Sequence, residues 1–100
     1  MSRKYGKPDS NHPEIVQTLK ALGATVCDLK AVGGGVPDIL VGYHGKNILM
    51  ELKDGNKTPS AAKLNTLQVL WHKQWGGQVD VVKSVDEAIA LLNREVRKGT

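Results

Sequence analysis

Three charged residues interrupt two apolar runs of this chain: Asp38 in the run from Val36 to Tyr43, and Glu51 and Lys53 in the run from Asn47 to Lys53. Charge placed among Ile, Leu, Val and Met is costly unless it is paired or bound to a metal. Two acids and one lysine have a chemistry in common. A pair of carboxylates can hold a hard divalent cation through oxygen and leave its other positions to water, which suits Mg²⁺ or Mn²⁺. A lysine beside them offers positive charge to a phosphate or to an attacking water.

Whether the three can act together depends on the strands that carry them. If His44-Gly45 forms a two-residue hairpin turn, Tyr43 faces Lys46, Val41 faces Ile48 and Asp38 faces Glu51. Residues directly opposite on one face have Cβ atoms about 4.5–5.5 Å apart. Lys53 lies two residues beyond Glu51 and points to that same face. Carboxylates so close repel, and one of them keeps a proton unless a cation favours both ionised forms. A plainer reading stands beside this one: Asp38 ends a strand edge, and Glu51 and Lys53 form a solvated pair.

The surrounding elements follow from caps, breakers and periodicity. Asn11 is placed as an N-cap, with Pro13 in the first turn and Glu14 at the capping-box position. Ile15, Leu19 and Leu22 fall on one face of that helix, and Gly23 ends it. Thr25 to Leu29 reads as a strand, and Gly33-Gly34-Gly35 as an approach that needs unusual backbone angles or close contact. The two charged strands come next, then a loop over Asp54–Ser60. A helix is predicted from Ala61 to Trp75, stopped by Gly76-Gly77, followed by a strand from Val79 to Val82. Ser84 caps a last helix, with Glu87 at its capping-box position and Ala88, Leu91 and Leu92 inward. The predicted order is α-β-β-β-α-β-α in a single domain over residues 1–100, with loose ends at 1–9 and 95–100.

Composition narrows the function classes. One hundred residues with 40% hydrophobic content suit one small domain. No apolar run approaches the ~20 residues of a membrane span, and the N-terminus lacks the apolar segment of a signal peptide. A single cysteine, Cys27, excludes an internal disulfide and fits a reducing cytoplasm. No Cys/His spacing resembles a zinc site. A net charge of +4 and a pI of about 9.3 suit a polyanionic partner.

Pro37-Asp38 followed by Glu51-Leu52-Lys53 matches the signature of the PD-(D/E)xK nuclease superfamily. The wider pattern, GVPDILVG, ELKDG, then Gln68 and Trp71-His72, resembles the small VRR-NUC nuclease domains of phages and prophages, from Glu14 to the last helix. The Val-Arg-Arg element of the family name is absent. The resemblance implies an α/β fold with a restriction-endonuclease-like core, a central mixed β-sheet flanked by helices. It implies Mg²⁺- or Mn²⁺-dependent hydrolysis of phosphodiester bonds. By that likeness Asp38, Glu51 and the backbone carbonyl of Leu52 carry the metal, and Lys53 orients or activates the nucleophile. Glu14 matches an acidic residue placed near the metal, although its capping position explains it equally well. Gln68 matches a helix glutamine near the site, and its place in the apolar stripe of Leu64, Trp71 and Trp75 independently requires a partner for its amide.

The remaining residues have plainer readings. Trp71 and Trp75 are expected in the core or a dimer surface rather than stacked on bases, and His72 is expected to face solvent. His44 is a turn residue, His12 lies near the first cap, and Cys27 is a small core residue. Lys57 and Lys63 could touch backbone phosphates or be solvated. The functional expectation is a metal-dependent DNA endonuclease, acting as a homodimer on branched DNA such as four-way junctions. It would be cytoplasmic, with a helicase as a possible partner and no membrane. The alternatives are a DNA-binding module without cleavage and a plain interaction domain.

Overall fold

The computed structural model describes residues 11–56 and 63–98. Its elements are α1 (His12–Ala21), β1 (Thr25–Asp28), β2 (Ile39–Tyr43), β3 (Lys46–Leu52), α2 (Thr66–Gln74), β4 (Asp80–Val82) and α3 (Val85–Arg97). This is the predicted α-β-β-β-α-β-α order, folded as an α/β domain with a mixed sheet flanked by helices. The four strands lie side by side in chain order. β1, β2 and β3 form an antiparallel meander, and β4 returns parallel to β3 after the α2 crossover. Among the described residues no helix is long and apolar enough to cross a membrane.

The β2–β3 turn sets the register. His44 and Gly45 both have positive φ, 50° and 78°, the requirement of the tight hairpin turn whose twist matches its strands. Tyr43 pairs with Lys46, Val41 with Ile48 and Ile39 with Met50. The odd residues of β2 and the even residues of β3 therefore share one face. Ile39, Val41, Ile48, Met50 and Leu52 are buried there against Ile15 and Leu19 of α1 and Ala88, Leu91 and Leu92 of α3. Each large side chain fully buried in this layer contributes roughly 1.5–3 kcal/mol. The other sheet face carries Asp38, Leu40, Leu49, Glu51 and Lys53, and α2 crosses on that side.

Several local expectations shift. Asn11 precedes α1, but its side chain makes no cap bond. Its Nδ2 donates instead to the carbonyls of Lys53 (3.1 Å) and Lys83 (3.0 Å), so the expected capping box with Glu14 gives way to a tie between the ends of β3 and β4. α2 begins at Thr66 rather than Ala61, with a true capping box between Asn65 and Gln68. The tail expected loose from residue 95 is helical through Arg97. Arg94 grips Asp80 with two bonds (3.0 and 2.8 Å) and reaches Glu95, which also accepts from Lys98. The Arg94 guanidinium holds the Asp80 carboxyl below the usual carboxylate range. Ser84 caps α3 as expected, accepting from Glu87 N. Residues 1–9, Lys57 and the predicted helix start at Ala61 lie outside the described residues.

Candidate active site

The site forms where β2 begins and β3 ends. Asp38 directly precedes β2, and its carbonyl accepts from Leu29 N at 2.9 Å, which holds its backbone to the β1 side. Its side chain crosses to β3, where Oδ2 accepts from Leu52 N at 2.7 Å. A carboxylate thereby takes the N–H of the residue between Glu51 and Lys53. Lys53 N in turn donates to Val82 O at 2.9 Å, continuing the β3–β4 ladder. The lysine is anchored on both backbone sides, since its carbonyl is the one that Asn11 holds. Asp38, Glu51 and Lys53 thus occupy the face that the hairpin register assigns them.

Glu51 is the charged group of this site most removed from solvent, with only 1% of its side chain exposed. Its carboxyl is pushed up from 4.5 to about 8, first by burial and then by the Asp38 carboxylate beside it, against the opposing pull of Lys53 and Lys30. Burial and the neighbouring carboxylate therefore favour the protonated form of Glu51. Gln68 Nε2 donates to Glu51 Oε2 at 2.9 Å. The amide orientation follows from the cap, because Gln68 Oε1 accepts from Asn65 N at 2.9 Å while Gln68 N donates to Asn65 Oδ1. Only the NH₂ end remains for the carboxylate. Glu51 Oε1 is buried and has no hydrogen-bond partner.

The glycine-rich approach positions this helix end. Gly35 has φ 88°, and a Cβ there would collide with the Leu67 carbonyl in the first turn of α2. Close backbone contact of this kind requires glycine. The loop between β1 and β2 thus seats against the turn that presents Gln68.

His72 contradicts the solvent-facing expectation. Its side chain is 15% exposed, and Nε2 lies 3.9 Å from Glu51 Oε1. Burial and nearby Lys53 lower its pKa against the pull of Asp80, which favours the neutral ring. The signal was present in the spacing: Gln68 and His72 are four apart, so a helix that aims one at Glu51 aims the other nearby. Lys30 was also missed, since only tertiary folding brings the loop after β1 to this face. Its charge is felt at Glu51, and its Nζ donates to His12 Nδ1 at 3.0 Å.

Other candidates are placed elsewhere. Glu14 is exposed and lines a separate cleft with Asn11, Asn56, Lys83, Ser84 and Asp86. Cys27 is exposed on edge strand β1 rather than in the core. Trp71 and Trp75 stack with ring centroids 4.6 Å apart, and α2 has no buried residue. Lys63 is exposed.

A divalent cation fits the carboxylate pair. One buried oxygen of Glu51 is unpartnered, and burial beside Asp38 disfavours the charged form of Glu51, a cost that a cation between the two carboxylates would offset. Among the described residues no three His, Cys, Asp or Glu side chains converge to cage an ion. Comparison of the chain with models of protein families, with curated proteins and with solved structures returned no match.

Proposed function

We propose that this chain is a metal-dependent DNA endonuclease of the PD-(D/E)xK type, akin to the small VRR-NUC domains. The observation that carries the reading is the placement of Asp38, Glu51 and Lys53 on one sheet face, with Glu51 buried and one of its oxygens unpartnered. Asp38 and Glu51, with the Leu52 carbonyl, hold Mg²⁺ or Mn²⁺. When bound, the cation supplies a lowered water pKa and positive charge for the phosphate. Lys53 orients the attacking water and offsets charge building on the phosphoryl oxygens. Gln68 locks the Glu51 carboxylate in one rotation. Glu14, exposed in the first turn of α1, where its charge suits a helix N-terminus, takes no part in the chemistry of this reading.

One small protomer offers one site, so cutting two strands calls for a symmetric pair of subunits. The exposed apolar side chains of α2 and its C-cap, Leu67, Val69, Leu70 and Trp75, support a homodimer. Branched DNA such as a four-way junction is the proposed substrate, the cytoplasm the proposed compartment, and a helicase the proposed accessory partner. The pI of about 9.3 suits a nucleic-acid polyanion.

The test compares labelled junction, flap and linear duplex DNA in Mg²⁺, Mn²⁺ or EDTA, with Lys53→Ala as control. Metal-dependent nicking, strongest on the junction and lost by orders of magnitude in folded Lys53→Ala, is expected. Tight DNA binding without nicking in any metal, undiminished by Asp38→Ala, overturns the reading in favour of a DNA-binding module.

A further inference from the structure

The carboxylate pair accounts for Asp38, Lys53 and Gln68 but not for His72. On the side of Glu51 that Gln68 leaves open, Glu51 Oε1 and His72 Nε2 are both buried, and neither has a hydrogen-bond partner. They lie 3.9 Å apart. Buried polar atoms are seldom left unsatisfied, and each such case calls for a reason. Two of them facing each other, on side chains 1% and 15% exposed, share one reason.

The separation selects among the ligands that could satisfy both. A direct hydrogen bond would close the gap to about 2.7–3.2 Å. A water bonded to both at about 2.8 Å, with a tetrahedral angle, would hold them about 4.6 Å apart. Two metal–ligand bonds of about 2.0–2.2 Å reach up to about 4.0–4.4 Å, so a cation between the two atoms spans the observed gap at a ligand–metal–ligand angle of about 125–155°. The partners are also the right chemical types, an imidazole nitrogen and a carboxylate oxygen. Gln68 fixes Glu51 through Oε2, and His72 sits on the same helix one turn beyond Gln68, its ring edge-on to Trp71 at 6.2 Å.

We propose that His72 Nε2 is a nitrogen ligand to the divalent cation held on Glu51 Oε1, which makes the site prefer Mn²⁺ or Co²⁺ to Mg²⁺. This rests on the reading that the carboxylate pair takes a divalent cation. Water and carboxylate oxygens serve Mg²⁺ well, whereas an imidazole donor favours transition ions further along the first row. His72 is thus a specificity-determining ligand, and α2 supplies one wall of the cation site.

Calorimetric titration of the full chain with MgCl₂, MnCl₂ and CoCl₂ tests this, alongside pulsed electron paramagnetic resonance of the Mn²⁺-loaded protein. Wild type is expected to show a nitrogen coupling that changes isotope pattern when its histidines carry ¹⁵N. The coupling is expected to vanish in His72→Gln and persist in His12→Gln and His44→Gln. His72→Gln is expected to lose on the order of tenfold or more in Mn²⁺ and Co²⁺ affinity, with Mg²⁺ affinity changing by less than about threefold. If His72→Gln fails to fold, the labelled wild-type spectrum still decides. Cation binding that Glu51→Gln abolishes, without nitrogen coupling in wild type, overturns the His72 assignment and leaves the carboxylate reading standing. Failure of all three ions to bind overturns both.

Discussion

The two faces of the sheet are built by opposite rules. On one, α1 and α3 bury a continuous layer of Ile, Leu, Val and Met. On the other, α2 buries no residue of its own and exposes Leu67 (59%), Leu70 and Trp75. The first face is held by area removed from water. The second is held by individual contacts, such as Gln68 on Glu51 and Gly35 against Leu67. One face can therefore carry charged, unsatisfied chemistry because the other already stabilises the fold.

If that division is right, substitutions on the two faces should fail in different ways. Asp38→Asn should reduce nicking by roughly a hundredfold to a thousandfold while the denaturant midpoint moves little, because an amide oxygen can still accept from Leu52 N. Leu92→Ala on the opposite face should cost about 2–5 kcal/mol of unfolding free energy, and its surviving folded fraction should nick at the normal rate. A large midpoint shift in the first variant, or a chemical defect in the second, breaks the contrast.

Gly35→Ala probes the seam between the faces. Its positive φ and the collision with Leu67 should cost about 1–3 kcal/mol. Nicking should fall further than that loss of folded protein explains, because Gln68 is displaced from Glu51. Equal losses in stability and rate would assign Gly35 to the scaffold alone.

Acidity sharpens the comparison. Without metal, the Glu51 carboxyl titrates near 8 in the folded chain against 4.5 ordinarily. Between those values the folded state holds the extra proton, so this contribution to stability is complete below about pH 4.5 and is lost as pH rises through about 8. Thermal scans of metal-free protein from pH 5 to 8.5 should show the decline, and Glu51→Gln should flatten it. Adding Mn²⁺ at pH 7 should displace close to one proton, seen as a binding enthalpy that varies with buffer ionisation heat. The smallest effect is expected at Val69→Lys on exposed α2, within about 0.5 kcal/mol for the monomer. Light scattering on that variant shows whether a second copy covers the helix: a dimer there should dissociate.

What could be read from the sequence was whatever local chemistry controls. His44-Gly45 dictates the hairpin, and from the turn alone Asp38 falls opposite Glu51. β1, β2 and β4 are shorter than predicted by one to three residues, while β3 keeps its predicted length one residue earlier; at the start of β2 the Asp38 side chain takes the β3 N–H instead. Asn11 misled because its amide satisfies carbonyls 42 and 72 residues away, partners no local pattern announces. α2 started late because Asn65 and Gln68 form the box that ends its first turn, a signal present but overridden by the wider apolar stripe. His72 was misplaced by taking Leu64, Trp71 and Trp75 as the inward face. The helix instead turns Gln68 and His72 toward charge and leaves much of its apolar side open.

The primary amide of Gln68 has one further consequence. Its oxygen closes the opening turn of α2 while its nitrogen grips the carboxylate, so winding that turn and aiming Glu51 are one event. Loosening the helix start, by heat or by replacing Asn65, would free the Glu51 carboxylate before the β-scaffold notices, as a latch releases a door whose hinges stay sound.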